Sequence, residues 1–597
     1  MTLGPTSRFL TLAFIALTAS AGASGTPLSP LPGSVMHGSL SVKGSTPVDP
    51  TEQIEFVLCF KPRASGALEK FVDSVSDPSS PNYRHFIGPD EVGQKFGAQQ
   101  SDIDAATTFL RANGLAVTHV SKNRFDLFAK GTARQIQSAF RTTLVRSSAL
   151  GADGRPVPFR TNVTPIQVPS SLVEKLRAVV GLDNSVQRKH MGQTTMLSPD
   201  SFRMAYYAAT SYGAGYYGQG TRVGIANWDG YRLDNVPYFA SAYNLPVPAG
   251  GAGSNIIVRE VGTGTTWGQD TAQGEGDLDI QSELISAPLS SIYVYDDAES
   301  DDNAPVSTLS AVSDDNAVDV MSESWGWATL WNGNQYAPLF ASAHDDHLSM
   351  SAQGITYLAS SGDAGTEYFP QFGTRYAYPD CDEEVAIVGG TVIAVDATSG
   401  ARWAERTWGL RNHWAGTGGF DPWDTPAIGY PYNVPPSYQK KYIGAKSGMY
   451  NYRLVPDFSS AAGGQDGLGN NDGTGWAIPI YYHPSGYSVG SIFYFDGTSF
   501  ASPASAGALV ALEGRLFQYV KPNANRSNVR LGRIQDLLYS LGGNQNIFTD
   551  VVAGNSIGNL PGTRIPALPT RGWDFATGWG SPVWAGLYGY MFLSGKI

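Results

Sequence analysis

The sequence predicts an α/β fold: a mostly parallel sheet with helices on both faces, preceded by a small α+β domain. Three observations carry this. Beyond Met191, short β-branched runs at residues 221–228, 291–295, 318–321, 355–361 and 385–395 are flanked by Gly and Asp and alternate with helical stretches, as strands covered on both faces do. Ahead of Leu182 lies a separate set of strands and helices. Between the two, Asp183-Asn184-Ser185-Val186-Gln187-Arg188-Lys189-His190 is a polar, basic linker open to cleavage.

Residues 1–23 read as a secretory signal, with Arg8, an apolar run at 9–17 and the small residues Ala21-Gly22-Ala23. That run is short for a membrane span, and no later stretch approaches about twenty apolar residues, so the mature chain is expected to be soluble. Residues 24–182 then form the small domain. After a Gly-, Ser- and Pro-rich lead, 55–60 reads as a strand and 102–113 as a helix with Ala105, Ala106, Phe109 and Leu110 inside. Residues 116–130 read as a hairpin turning at Lys122-Asn123. The linker extends over 183–195, and 196–597 is the main domain.

A chain of 597 residues is too long for one core. With only 15% charged residues and 69 glycines, it suits a compact, loop-rich extracellular protein. Cys59 and Cys381 are the two cysteines, too few for a disulfide framework or a Cys-x-x-Cys metal cluster. A net charge of −12 argues against a nucleic-acid partner. Residues 24–190 carry 19 Lys and Arg against 14 Asp and Glu, a balance of +5, whereas 191–597 carry 20 against 38, or −18. Such complementarity fits a propeptide docked on its own enzyme.

The chemistry centres on Phe495-Asp496-Gly497-Thr498-Ser499-Phe500-Ala501-Ser502-Pro503. A loop becomes a helix here, with Pro503 expected in the first turn, so Ser499 is either a nucleophile at the positive helix end or an ordinary cap. A nucleophile needs a base. The eight histidines are His37, His85, His119, His190, His344, His347, His413 and His483, none in a His-Gly-Thr-like setting. His344-Asp345-Asp346-His347 is a weak metal pair without a third ligand, and reads better as a solvated helix face. Glu275 and Asp279, four apart, share one helix face, as a paired site or as a solvated acidic surface. Asp363, in Ser360-Ser361-Gly362-Asp363 after an apolar strand, is a turn-maker or a functional acid.

Taken together these motifs resemble the sedolisins, or serine-carboxyl peptidases, and their kumamolisin-like members in particular. The resemblance rests on Glu-x-x-x-Asp at Glu275 and Asp279, Ser324-Trp325-Gly326, Ser361-Gly362-Asp363 and Gly497-Thr498-Ser499, in family order. It extends to the front domain, where Ser80-Pro81-Asn82-Tyr83-Arg84-His85-Phe86 is similar to the family's propeptide signature. It implies a subtilisin-like sheet, with Ser499 as nucleophile, Glu275 as base, Asp279 orienting Glu275, and Asp363 as the acid at the oxyanion. Chemistry agrees: at pH 4 an ordinary histidine is only about 0.3% neutral while a glutamate is roughly a third ionised, so a carboxylate base works in acid. A protonated Asp363 can donate to the oxyanion, which low pH also favours.

The resemblance further implies one structural Ca²⁺, held by the carboxylates of Asp550 and Asp574 and the carbonyls of Val551, Thr570 and Gly572. Hard oxygen donors suit that ion, and Thr570 stands where the family often has Gly. Trp325 is expected at the substrate cleft. Gly418-Gly419-Phe420-Asp421 departs from the family's usual Gly-Gly-x-Ser, and 463–491 is expected to be a surface loop bordering the cleft.

The expectation is therefore a secreted, acid-acting serine-carboxyl endopeptidase, a hydrolase working through an acyl-enzyme on Ser499. It would free itself from its propeptide by cleavage near residues 188–191. Its partners would be protein or peptide substrates and its own propeptide, with no nucleic acid, no membrane after signal cleavage, and a monomeric state. A tripeptidyl-peptidase on the same scaffold is the alternative. A non-catalytic binding homologue would be expected to lack a catalytic residue, and all four are present. Asn162 and Asn525 stand in Asn-x-Thr/Ser settings.

Overall fold

The computed structural model describes residues 27–35, 45–64, 66–150, 156–185, 187–189, 198–206, 209–262, 266, 268, 274–298, 301, 303–328, 337–363, 365, 378–396, 402–409, 434–446, 451–466, 479–481, 488, 490–517, 530–554 and 568–595. The signal sequence, Gly418 to Asp421, Asn525, and His37, His190, His413 and His483 lie outside them.

Among the described residues the largest sheet has eight strands. Their order is Ile256–Val261, Ser291–Asp297, Arg222–Asn227, Val320–Glu323, Thr356–Ser360, Val385–Val395 and Arg402–Thr407, with Phe458–Asp466 also pairing on Val385–Val395. All pairs are parallel except that of Arg402–Thr407. The apolar runs are continuous because both faces are covered. Val223, Ile225, Val320, Leu358 and Val388 point into a core shared with the helices Glu275–Leu284 and Thr498–Phe517. Ala226, Met321, Tyr357, Ala359 and Ile387 point the other way, into a core shared with Val306–Asp315 and Ala337–Gln353. Alternate side chains of one strand thus pack on the helices Glu275–Leu284 and Thr498–Phe517 on one face and on Val306–Asp315 and Ala337–Gln353 on the other.

The front domain is a four-stranded antiparallel sheet in the order Ala116–Val120, Asp126–Thr132, Gln53–Phe60, Leu176–Val180. Phe56, Leu58 and Phe60 face its own core, with Ile103, Leu110, Ile136 and Phe140 from the helices Gln100–Ala112 and Ala133–Phe140. Val57, Cys59, Ala178 and Val180 instead join the second core of the main domain. A strand apolar at every position from Phe56 to Phe60 is thereby explained, since one side closes its own domain and the other docks.

Docking has a steric key in the Ser80 to Phe86 segment. The Phe86 ring lies against Gly354, whose φ is +84°, and Gly532; a Cβ would come within 2.3 Å of it at the first and 2.7 Å at the second. Arg84 Nε donates to the Arg530 carbonyl beside it. Charge follows the predicted polarity in part. Arg177 makes two hydrogen bonds to Asp345, of 2.6 and 2.9 Å, and His119 pairs with Asp314 at 2.9 Å. Arg533 with Asp73, at 2.6 Å, runs the other way.

Three expectations change. Thr498–Phe517 starts at Thr498, so Pro503 lies inside the helix rather than in its first turn. His344 to His347 is buried rather than solvated. The presumed loop from Gly463 begins as the end of the strand Phe458–Asp466, and Pro479–Tyr481 with Ile492–Tyr494 makes a hairpin. The Asn162 amide is buried and donates to the carbonyls of Ser34 and Thr164, which leaves it unavailable for a sugar. Cys59 and Cys381 are buried free thiols, and no described helix is long and apolar enough to cross a membrane.

Candidate active site

Glu275, Asp279, Asp363 and Ser499 come together at the carboxyl ends of the parallel strands, where open α/β sheets place their ligands. Two helix starts build the site. Glu275 opens Glu275–Leu284, where its N–H donates to Asp229 Oδ2 at 2.8 Å. Ser499 is the second residue of Thr498–Phe517, and its side chain faces the Glu275 carboxyl closely enough to lower it, against the effect of burial.

Burial raises the Glu275 carboxyl well above its ordinary range, and the nearby Asp279 adds to this. Asp279 is also raised, chiefly by burial, although Ser324 Oγ donates to its Oδ1 at 2.6 Å. Glu275 Oε1 and Asp279 Oδ2 are both buried with no hydrogen-bond partner among the described residues. Two adjacent carboxyls that cannot both ionise, each with an idle oxygen, hold at least one proton between them in acid.

Asp363 sits at the end of Thr356–Ser360, across from the turn into the serine helix. The backbone N–H and Oγ1–H of Thr498 donate to its Oδ1, at 2.8 and 2.7 Å. Its Oδ2 is buried and takes no hydrogen bond. Burial pushes this carboxyl up to about 6, against those two donors. Gly497, with φ of +125°, is required here: a Cβ would lie 2.7 Å from Asp363 Oδ2. Asp363 is thus clamped by one oxygen while the other is left open to a proton.

Sequence reasoning quoted Ser324 but gave it no role. Its Oγ lies 3.2 Å from the Ser499 carbonyl as well as bonding Asp279. Pro503, four residues on, has no N–H, so the helix cannot satisfy that carbonyl itself. The proline was the available signal. Asp277, also buried in the same turn, is occupied by Asn235 Nδ2 at 2.7 Å and Arg232 N at 3.1 Å. Gln281, one turn on, exchanges two hydrogen bonds with the Tyr481 backbone, of 2.8 and 2.9 Å, tying the hairpin to the carboxylate helix.

Beyond Ser324, Trp325 is buried edge-on to Trp228. The strand Gly326–Ala328 follows, and the linker strand Gln187–Lys189 pairs antiparallel with it, Arg188 opposite Trp327.

Four of the predicted calcium ligands meet in two pairs. Gly572 N–H donates to Asp550 Oδ2 at 3.0 Å and Thr570 N–H to Asp574 Oδ2 at 2.6 Å. Asp550 Oδ1 is buried without a partner, and burial pushes Asp574 up to about 6. An orphaned carboxylate oxygen among hard donors fits a Ca²⁺. No described group of three or more His, Cys, Asp or Glu is placed to hold a metal, so the backbone carbonyls of Val551, Thr570 and Gly572 would have to complete the shell. His344 and His347 both turn Nδ1 to Asp382, at 2.9 and 3.0 Å, and no described group that includes them is placed to hold a metal.

Comparison with known proteins gives the same reading. Residues 41–185 match the family profile described as pro-kumamolisin, activation domain. The chain is 27% identical over 588 residues to sedolisin of Pseudomonas sp. (strain 101), covering 91% of this chain and 88% of that protein. It is 26% identical over 564 residues to kumamolisin of Bacillus sp. (strain MN-32), covering 90% and 91%. The solved structure of Pseudomonas sedolisin, a serine-carboxyl proteinase complexed with two molecules of pseudo-iodotyrostatin, shares the fold at a TM-score of 0.52 and 24% identity, over 67% of this chain and 99% of that one. A parallel sheet carrying a serine and three carboxyls, behind an activation domain, makes this chain similar to the sedolisins, the serine-carboxyl peptidases, and to their kumamolisin-like members.

Proposed function

We propose that the protein is a secreted, acid-acting endopeptidase that attacks peptide carbonyls with Ser499. The observation that carries this is Ser499 beside the buried Glu275 and Asp279 carboxyls, the second of which Ser324 ties to it, with the idle, protonatable Oδ2 of Asp363 across the turn. In this reading the Glu275 carboxylate takes the Ser499 proton as Oγ adds to the carbonyl carbon. Asp363 O–H donates to the developing oxyanion. Collapse breaks the C–N bond, and Glu275 returns the proton to the leaving amine. Water then attacks the acyl-enzyme by the same steps and frees Ser499. Asp279, held by Ser324, orients Glu275 from one helical turn on.

Residues 1–23 would be the signal, 24–182 the propeptide and 183–195 the removed linker. The pairing of Gln187–Lys189 with Gly326–Ala328 supports self-cleavage near residues 188–191, because it lays the linker down as a substrate strand. The enzyme would act as a monomer, and Ca²⁺ at Asp550, Val551, Thr570, Gly572 and Asp574 would brace the fold.

The decisive experiment follows maturation of the full chain at pH 4, wild type beside Ser499→Ala. The wild type is expected to shed its propeptide while the variant stays at precursor length; a variant that matures alone and cleaves protein removes Ser499 as nucleophile. Digestion of an N-terminally blocked protein separates the two specificities, since a tripeptidyl-peptidase needs the free amine. Chelation is expected to lower the Tm by a few degrees, as loss of a ligand bound only to the folded state does; an unchanged Tm dismisses the calcium site.

A further inference from the structure

Beneath the strand Gly326–Ala328 lies a buried polar assembly that the proposed chemistry does not use. Trp327, the residue opposite Arg188 of the linker, exchanges both backbone hydrogen bonds with Tyr378, at 2.7 and 3.0 Å. Tyr378 thus forms the far side of the strand on which the linker lies. Its ring stacks on Phe340 at 4.7 Å, and its hydroxyl donates to Asp382 Oδ2 at 2.8 Å.

Asp382 is fully buried and fully engaged. His344 Nδ1 and the Glu384 N–H meet its Oδ1, at 2.9 and 3.0 Å. His347 Nδ1 meets its Oδ2 at 3.0 Å. Burial alone would raise Asp382, but the two imidazoles hold it well below its usual range. Burial likewise opposes a charge on His344, yet Asp382 lifts it to about 9. The side chain of Trp327 is fixed from the same side. Its Nε1 donates to Glu323 Oε1 at 3.0 Å, and Tyr357 OH donates to Glu323 Oε2 at 2.8 Å. Tyr357 in turn packs edge-on against His347, with ring centroids 4.7 Å apart.

A substrate strand held by a few backbone bonds needs its template kept straight and in register, and side chains locked by packing and hydrogen bonds supply that. We infer that Asp382, held between His344 and His347, is a positioning residue for peptide binding: through Tyr378 it fixes the strand Gly326–Ala328 on which the substrate is laid. This rests on the reading of that strand as the substrate template. It adds a specificity device about which Ser499 chemistry says nothing, one that acts on long peptides and not on the acyl-transfer step.

The test uses mature enzyme carrying Tyr378→Phe or Asp382→Asn, titrated for active sites, on two substrates. One is a peptide with a long segment ahead of its scissile bond; the other is a one-residue ester that ends short of the strand. Loss of one buried hydrogen bond is expected to raise the peptide KM about three- to tenfold, with kcat within about twofold and the ester constants unchanged. Tyr378→Phe keeps the ring on Phe340, so it carries the test if Asp382→Asn fails to mature. An unchanged peptide KM overturns the inference. So does an equal loss on peptide and ester, which is what a merely structural role predicts. A wild type that hydrolyses neither substrate strikes the peptidase reading itself, and the inference falls with it.

Discussion

Two buried carboxylate groups sit on either side of the strand that leads into Ser324, and they are built in opposite ways. Around Ser499, Glu275, Asp279 and Asp363 are each pushed up by burial, and each keeps an oxygen without a partner. Around Asp382, four donors fill both oxygens and two imidazoles hold the carboxyl down. Burial is common to both, so burial alone does not mark chemistry. What separates these two groups is the idle oxygen: an acid that must give or take a proton needs a lone pair the fold has not claimed, whereas one that braces a strand is best held with every lone pair claimed.

The sharpest way to break this contrast is at Asp363. Asp363→Ala is expected to cost about 10²–10³ in kcat, the scale of a lost oxyanion donor. Asp363→Asn should restore part of it. Thr498 would select the amide oxygen for the Oδ1 position, leaving –NH₂ where the proton was. Because an amide does not ionise, the fall in activity expected near pH 6 in wild type should move toward neutrality. A wild-type profile with no fall near 6, or an Asn variant no better than Ala, contradicts the oxyanion role.

A smaller effect is expected at Ser324. Ser324→Ala leaves Asp279 Oδ1 and the Ser499 carbonyl without their shared donor, and kcat should drop about tenfold with little change in KM, on the scale of a hydrogen bond to a charged group. A change confined to KM assigns the serine to substrate binding instead.

The mildest test is stability against pH. Asp363, at about 6, and Glu323, at about 8, both titrate above their unfolded values near 4, raised by burial. Their contribution is complete below about pH 4 and is lost as pH climbs through the folded values. The Tm of mature enzyme should therefore fall between about pH 4 and 8, by on the order of 5–10 °C. A Tm that rises over that window contradicts the protonated state of these acids.

The strand runs of the main domain were legible because a parallel sheet buried on both sides writes itself as unbroken apolar segments; 385–395 was read at the bounds it has. The edge strand Ile256–Val261 escaped notice because it is largely exposed and carries Arg259 and Glu260. Asp363 and Glu275 announced themselves only in company, as ordered motifs, since each by itself reads equally well as a turn or a surface acid. Asp382 left no local trace at all. Its partners His344 and His347 lie 38 and 35 residues before it, so the pattern that looked like a solvated helix face was completed by a loop that nothing nearby in the sequence points to. Helical spacing tells which side chains share a face but not what that face meets.

The linker pairing on Gly326–Ala328 has a kinetic meaning. A strand laid on the template by its own chain is present at an effective concentration fixed by the length of the tether, whatever the amount of protein in solution. If the cut falls where that strand leads, the first turnover of every molecule is unimolecular. Activation would then proceed in a single secreted copy as fast as in a crowd, and the onset of activity would be timed by the acidity around the molecule, with dilution having no part in it.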